Sequence, residues 1–131
     1  MENSLDLIPP PRSGLIWRAI TREDLTALVN LADECQRFDG GLAFLNSPTE
    51  LVERCFPDAP GMGLGAFDPY GQLVAYTTVH HAHTSDMEFA RIVGQVHPEL
   101  RNQGIGGYLM RWSELQAQSL FTATAENKRL Q

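Results

Sequence analysis

"VHPELRNQGIGGYLMRW", residues 96–112, follows an apolar run and carries three glycines, Gly104, Gly106 and Gly107, before an amphipathic segment. This order predicts a strand, a tight turn and then a helix from about Ile105 to Gln118. The first N–H groups of such a helix have no partners within it and lie at the positive end of its dipole. Because glycine lets a ligand approach the backbone closely, the stretch predicts a site for phosphate or pyrophosphate, with a turn that binds nothing as the alternative.

Two common phosphate loops do not fit this stretch. No Gly-Lys-Ser or Gly-Lys-Thr follows the glycines, so it is not the P-loop of nucleotide hydrolases. The spacing Gly104-x-Gly106-Gly107 also differs from the G-x-G-x-x-G of dinucleotide folds, and no acidic residue follows a second strand as those folds need. A further glycine-rich segment, "GMGLG" (61–65), precedes a strand and opens no helix, so it is predicted to be a loop.

The composition is that of one soluble globular domain. The 131 residues are 43% hydrophobic and 20% charged, and 16 acidic against 10 basic side chains give a formal charge of −6. An acidic chain is a poor partner for nucleic acid or an anionic membrane, since both attract clustered cations. No apolar run approaches the length of a membrane span, and the N-terminus lacks the features of a secretory signal. Cys35 and Cys55 lie in no ligand-like cluster, so we expect free thiols and a cytoplasmic protein.

The rest of the pattern predicts a loose lead-in over residues 1–14 and one α+β domain over residues 15–131. Helix caps are predicted at Thr21, with a helix that runs to about Cys35, and at Ser47, with Pro48 in the first turn. β-Branched and aromatic runs predict five strands, two of them joined by a short turn. The strands are expected at residues 15–20, 64–68, 73–82, 87–97 and 120–125.

Residues 101–106, Arg-Asn-Gln-Gly-Ile-Gly, match the Q/R-x-x-G-x-G/A motif that GNAT N-acetyltransferases use for acetyl-CoA. The longer segment 96–110 resembles the strand end, Val-x-Pro, glycine loop and helix start of that family. The segment "DPYGQLVAY" (68–76) resembles the family's second hairpin. The resemblance covers about residues 15–127 and implies an α+β fold with a mixed, mostly antiparallel central sheet flanked by helices.

The resemblance also implies a function, an N-acetyltransferase that passes the acetyl group of acetyl-CoA directly to a primary amine of a small molecule or peptide. Backbone N–H groups from Gln103 to Gly107 would hold the pyrophosphate, and the strand end at Val96 would bind the pantetheine arm and polarise the thioester carbonyl. The residues that it assigns to acetyl-CoA are Val96, His97, Arg101, Asn102, Gln103, Gly104, Ile105, Gly106, Gly107 and Asn127. The alternatives are a non-catalytic acyl-CoA-binding half-domain that supports a second GNAT domain, and a small interaction domain whose glycine turn binds nothing.

The end of the sequence departs from the family. In the family, the strand after the glycine-loop helix leads to a helix that begins near an Asn, and then to a general-acid Tyr and a final hairpin. Asn127 falls at the place of that Asn, and the Tyr would lie beyond Gln131. We therefore expect a C-terminally incomplete GNAT fold whose edge strand at Phe121–Ala125 is covered by a second copy or by a second GNAT domain.

The predicted strand at residues 87–97 carries two residues of interest. Glu88 stands where the family often places a general base, and a solvated carboxylate at a strand end is the alternative. Gly94 stands where the family often has a large apolar residue. The absence of a side chain at Gly94 either makes the strand more flexible or leaves room for substrate.

Three histidines, His80, His81 and His83, resemble a metal cluster. Alternation along a strand, however, puts His81 and His83 on one face and His80 on the other. A third ligand such as His97 would have to come from the neighbouring strand. We therefore expect a polar strand end and no metal.

Overall fold

The computed structural model describes residues 14–40 and 47–130, with side chains up to residue 121. The lead-in predicted for residues 1–14 thus lies almost wholly outside the described residues. The strands are β1 (Ile16–Ala19), β2 (Gly61–Phe67), β3 (Leu73–His83) and β4 (Glu88–Val96), and the helices are α1 (Leu25–Asp39), α2 (Pro48–Cys55) and α3 (Ile105–Leu130). Short 3-10 helices at Arg22–Asp24 and Pro98–Leu100 precede α1 and follow β4. Within the described ranges, no helix is both long and apolar enough to cross a membrane.

The four strands form one antiparallel sheet in the order β1-β2-β3-β4. The turn between β2 and β3 is the predicted one: Asp68 Oδ1 accepts hydrogen bonds from the N–H groups of Tyr70 and Gln72, and Gly71 adopts a φ of 84°. Across β3 and β4, Ala75 lies opposite Val96 and His83 opposite Glu88. The predicted α+β class with an antiparallel sheet and flanking helices is confirmed.

Both predicted helix caps are confirmed. Thr21 Oγ1 accepts from the N–H of Glu23 at 3.3 Å, and the Asp24 carboxylate accepts from the N–H of Thr21 at 2.9 Å. Ser47 Oγ accepts from the N–H of Glu50 at 3.3 Å. The first helix continues to Asp39, beyond its predicted end near Cys35, because no Gly or Pro interrupts it before Gly40.

The loop predicted for residues 61–65 is wrong, because these residues form most of β2. A side chain would not fit at two of its glycines. A Cβ at Gly63 would lie 2.6 Å from Ile20 Cγ1, and one at Gly65 would lie 2.5 Å from Ile20 Cγ2. These glycines are therefore selected by close packing within a buried strand rather than by turn geometry.

The strand predicted at residues 120–125 is also wrong, because α3 continues from Ile105 to Leu130. Past Gly107 no Gly or Pro breaks the helix, and the alanines, Glu126, Lys128 and Leu130 all favour helix over strand. Residues 121–125 are therefore helical rather than an edge strand, and the partner expected at this segment stays a prediction. In the described part of the chain, the sheet instead ends on one side at β4.

Two apolar clusters hold the helices against opposite faces of the sheet. The first lies under α1 and α2 and includes Leu28, Leu51 and Tyr76. The second lies under α3 and includes Tyr108 and Trp112, which are four residues apart and pack on one face of that helix. Each face of the sheet is thereby covered, while the outer edge of β4 remains open in the described part of the chain.

Candidate functional site

A groove of about 590 Å³ lies along the outer edge of β4 and reaches the start of α3. We call it the edge groove. The residues that line it are Asp39, Tyr76, Thr77, Ile92, Gly94, Gln95, Val96, Arg101, Gly106, Leu109 and Met110. It thus joins the sheet edge, the glycine loop and the first turns of α3 in one depression.

Backbone groups of β4 point into this groove. The N–H of His97 donates to Val74 O at 2.8 Å, so these two residues form a hydrogen-bonded pair across the strands. Bonded and non-bonded pairs alternate in an antiparallel ladder, so Val96 and Gly94 turn their N–H and C=O groups away from β3. The carbonyl of Val96 is occupied, since it accepts from Arg101 Nε at 3.1 Å, whereas the alternation turns the N–H of Val96 toward the groove.

The start of α3 supplies further N–H groups. The bond from the N–H of Tyr108 to Gly104 O, at 3.0 Å, closes the first turn of the helix. The amides of Ile105, Gly106 and Gly107 come before that bond, at the positive end of a 26-residue helix. Gly106 lines the groove, so these amides lie at its end and can receive an anionic group such as a phosphate.

Left-handed backbone at two residues shapes the glycine loop, residues 101–107. Asn102 has a φ of 64° and Gly104 a φ of 86°. Asn and Gly are the residues that tolerate this conformation best, which explains their presence here. The Gln103 side chain donates from Nε2 to Glu99 O at 3.2 Å and so braces the turn.

Arg101 ties the glycine loop to the end of α1. Its guanidinium makes a bidentate pair with the Asp39 carboxylate, with N–O distances of 2.7 and 2.8 Å. The pair lowers the pKa of Asp39 and raises that of Arg101. The resemblance assigned Arg101 to acetyl-CoA, and the structure places Arg101 at the groove with its charge already balanced by Asp39.

The fold has many structural counterparts. They include a GCN5-related N-acetyltransferase from Sphaerobacter thermophilus, with 24% identity, a TM-score of 0.65, and coverage of 85% of this chain and 34% of that one. A GNAT family acetyltransferase from Brucella melitensis in complex with acetyl-CoA has 16% identity and a TM-score of 0.66, over 83% of this chain and 71% of that one. An aminoglycoside 6'-N-acetyltransferase from Acinetobacter baumannii has 18% identity and a TM-score of 0.56, over 82% of this chain and 74% of that one.

The chain has the GNAT fold. It spans about a third of the length of the Sphaerobacter protein. No protein-family model matches the sequence, and no curated protein matches it significantly. The likeness therefore establishes the fold alone.

Of the residues predicted for the site, Val96, Arg101 and Gly106 line the edge groove of this GNAT fold, whereas His97 and Glu88 lie away from it. The His97 imidazole accepts from the N–H of Glu99 at 3.2 Å and lines a separate cavity of about 280 Å³. Glu88 lies at the opposite end of β4 from Val96, with its carboxylate 4.0 Å from His81 Nε2. At about 3.3 Å per residue, Glu88 is roughly 26 Å from Val96 along the strand.

The other predicted residues divide by what they can offer a ligand. The Ile105 side chain is 1% exposed and anchors α3 in the core, so only its amide is available. The Asn102 side chain is exposed at the loop. Asn127 lies within α3, and its side chain is not among those that the structure describes.

The three histidines at the far end of β3 follow strand alternation. His80 is 7% exposed, whereas the rings of His81 and His83 lie 6.3 Å apart. In the described part of the chain, no three His, Cys, Asp or Glu side chains come together as a metal site would need.

Sequence reasoning missed most side chains that line the groove of this GNAT fold. Thr77 belongs to the neighbouring strand, and its hydroxyl lies 2.8 Å from that of Ser113 on α3. Met110 and Leu109 lie one turn into the helix, where periodicity predicts packing. Only the register, which places Thr77 opposite Gly94, brings these residues together, and a single sequence does not reveal it.

Proposed function

We propose that the edge groove binds acetyl-CoA and that this GNAT domain transfers its acetyl group to a primary amine. One observation carries the proposal: the amides at the start of α3 and the outward N–H of Val96 open into one groove. The amides at the start of α3 are suited to a pyrophosphate, and the N–H of Val96 is suited to an arm that contains amide groups. Coenzyme A carries both groups in a single molecule.

The loop and the strand would share the work of binding. The amides of Ile105, Gly106 and Gly107 would hold the pyrophosphate, since they combine free N–H groups with the helix dipole. The N–H groups of Gly94 and Val96 and the carbonyl of Gly94 would bind the pantetheine arm as a neighbouring strand would, since these groups face outward from β4. The complex of the Brucella protein with acetyl-CoA supports this choice of co-substrate.

The chemistry is an acyl transfer, in which acetyl-CoA supplies an activated thioester. The amine nitrogen forms a bond to the carbonyl carbon, the carbon–sulfur bond breaks, the amine loses a proton and the thiolate gains one. An N–H donor fixed beside the carbonyl oxygen stabilises the charge that develops there. The N–H of Val96 is the proposed donor.

Acid–base groups are scarce in the groove. Among its described lining residues, Asp39 is held by Arg101, and Tyr76 is buried with its hydroxyl 3.7 Å from Cys55 Sγ. Burial raises the pKa of Tyr76 and keeps it neutral. Glu88, the predicted base, lies about 26 Å along the strand from Val96, whose N–H is the proposed donor, so it is too far away to act even through one water.

Thermal unfolding with acetyl-CoA, free CoA and ATP tests the binding step. A ligand that binds only the folded state at about 100 times its Kd stabilises by roughly 2.7 kcal/mol, which raises the Tm by on the order of 10 °C. We expect this shift with both CoA species and a much smaller one with ATP. Equal shifts with ATP would indicate a general polyphosphate site and contradict the proposal.

Release of free CoA thiol, measured over a panel of small-molecule and peptide amines, tests the transfer step. A cationic amine is the expected acceptor, because the chain carries a formal charge of −6. CoA binding without turnover on any amine would favour the second candidate, a non-catalytic acyl-CoA-binding half-domain that supports another GNAT domain.

A further inference from the structure

We infer that Arg101 and Cys35 are positioning residues for Val96, and that Arg101 does not bind the phosphates of the ligand. Both side chains act by fixing the end of β4, which carries the N–H proposed to polarise the thioester carbonyl. The inference rests on the proposed function, since it assumes that the edge groove holds acetyl-CoA. The family resemblance assigned Arg101 to the ligand itself, so this role differs from the expected one.

The carbonyl of Val96 receives two hydrogen bonds. Arg101 Nε donates to it at 3.1 Å, and Cys35 Sγ donates to the same oxygen at 3.6 Å. A carbonyl oxygen has two lone pairs, so these two donors occupy it fully. On the other side of the same peptide group, the N–H of His97 donates to Val74 O at 2.8 Å. The peptide group that follows Val96 is therefore held at both ends.

The thiol of Cys35 is suited to the role of a donor. Cys35 is 1% exposed, and burial raises the pKa of its thiol, so the thiol keeps its proton. It lies on α1, four residues before Asp39, and residues at this spacing share one face of a helix. Helix α1 thus reaches Val96 O twice, directly through Cys35 and indirectly through Arg101, which Asp39 holds.

The guanidinium of Arg101 is already engaged by protein groups. Three of its N–H groups donate to Val96 O and to the two carboxylate oxygens of Asp39. The Asp39 carboxylate balances the guanidinium charge, and it lines the groove beside Arg101. A phosphate that approached Arg101 would also approach this negative carboxylate, and like charges repel. The amides of Gly106 and Gly107, at the positive end of α3, are the better place for the phosphates.

The held peptide group fixes the direction of the Val96 N–H. Val96 lies between Gln95 and His97, whose N–H groups face β3 by the alternation of the ladder, so its own N–H faces the groove. Such a donor stabilises the developing charge only if it is aimed at the carbonyl oxygen before the reaction begins. Free CoA has no thioester carbonyl, so loss of this alignment should affect acetyl-CoA and not CoA.

Calorimetric titration with CoA and acetyl-CoA separates the two roles of Arg101. In the wild type, the bond from Val96 N–H to the thioester carbonyl should make acetyl-CoA bind about fivefold more tightly than CoA. Arg101→Met should bring this ratio close to one and leave the Kd of CoA within about twofold of the wild-type value. A phosphate contact would instead weaken the binding of both ligands equally.

Three results would overturn the inference while CoA binding, and with it the proposed function, still stands. They are an equal loss of affinity for both ligands in Arg101→Met, an unchanged ratio in that variant, and a wild-type ratio of one. If the wild type bound neither CoA nor acetyl-CoA, the proposed function would be overturned as well.

Arg37→Met is the matched control for Arg101→Met. Arg37 also lies on α1 and also makes an ion pair, with Glu34 at 2.8 Å, but its side chain is 71% exposed. The control removes the same charge and the same kind of pair from the surface of the helix, so it should keep the preference for acetyl-CoA. If Arg37→Met lost the preference too, the assignment to Arg101 would be overturned.

Cys35 provides a second test, which also decides if circular dichroism shows that Arg101→Met does not fold. Cys35→Ala removes one donor to Val96 O at a buried position that does not contact the ligand, whereas Cys35→Ser keeps a donor there. The alanine variant should lose part of the preference for acetyl-CoA, and the serine variant should retain it. The amide chemical shift of Val96 should follow the same order. Equal preferences in the two variants would overturn the inference.

Discussion

Two glycine-rich stretches look alike in the sequence and behave in opposite ways in the fold. Residues 61–65 form a buried strand, in which a Cβ at Gly65 would come within 2.5 Å of Ile20. Residues 104–107 start a long helix, where the nearest atom to a Cβ at Gly106 is 3.9 Å away and nothing lies within 4 Å at Gly107. In the first stretch, glycine is required because the protein fills the space itself. In the second, the space is left open, and a ligand can use it.

Of the predicted substitutions, Gly106→Val should have the largest effect, because it should weaken CoA binding and leave the fold intact. Its side chain would project into the edge groove, where the phosphates are expected, and we expect CoA affinity to fall at least about a hundredfold, or roughly 2.8 kcal/mol. The fold should persist, since no atom opposes the new Cβ closely. Calorimetry on Gly106→Val measures the effect, with Glu114→Val, at an exposed position of α3 outside the groove lining, as the control. Unchanged affinity in Gly106→Val would refute the phosphate assignment.

Alanine at Gly65 should damage the fold itself. The added methyl would meet Ile20 Cγ2 at 2.5 Å and Leu73 Cδ1 at 2.9 Å in the core, and overpacking of this kind costs about 1–3 kcal/mol. Urea denaturation should show this loss in the free energy of unfolding. A variant as stable as the wild type would mean that β2 packs less closely than described.

Alanine at Gly107 should instead increase the free energy of unfolding. Position 107 is helical and open, so alanine there removes backbone freedom from the unfolded chain without a clash. We expect a gain of about 0.5–1 kcal/mol in the free energy of unfolding. Denaturation of Gly107→Ala beside Gly65→Ala tests the comparison directly, and a loss of stability in both would contradict it.

The smallest expected effect concerns the tie between the glycine loop and α1, the ion pair of Arg101 with Asp39. Because the pair lowers the pKa of Asp39 below 3.8, its contribution to stability is present above that pH and is lost as the pH falls through the lower, folded-state value. Asp39→Asn should therefore be less stable than the wild type at pH 6, and this difference should become smaller at pH 2. Urea midpoints at the two pH values provide the measurement. If Asp39→Asn were as destabilised at low pH as at pH 6, the charge of Asp39 would not be the cause of its contribution to stability.

Local signals in the sequence predicted much of this fold. The caps at Thr21 and Ser47, the β2–β3 turn and the strand–loop–helix order around Gly104 all depend on neighbouring residues, and all are present. Of the two fold predictions that failed, the loop at residues 61–65 depends on a distant contact and the strand at residues 120–125 does not. Gly63 is in a strand because Ile20 packs against it, and residues 120–125 continue α3 although their aromatic and β-branched content had suggested a strand.

The candidate site shows the same division. The glycine loop could be located from residues 101–107 alone, because its requirement for left-handed backbone at Asn102 and Gly104 is local. The edge groove could not be, since it depends on the register of β4 against β3 and on where α3 crosses the sheet. That register also places two predicted residues away from the groove: His97, which precedes the glycine loop, and Glu88, which begins β4.

The most direct test of the central claim is an amide chemical-shift titration of the isotope-labelled chain with free CoA. The claim is that the amides at the start of α3 and along the outer edge of β4 bind the ligand. The largest shifts should occur at Gly104, Gly106, Gly107 and Val96, while the amides of Gly63 and Gly65 should not move. Shifts confined to β2, or none at Gly106 and Gly107 under saturating CoA, would contradict the account.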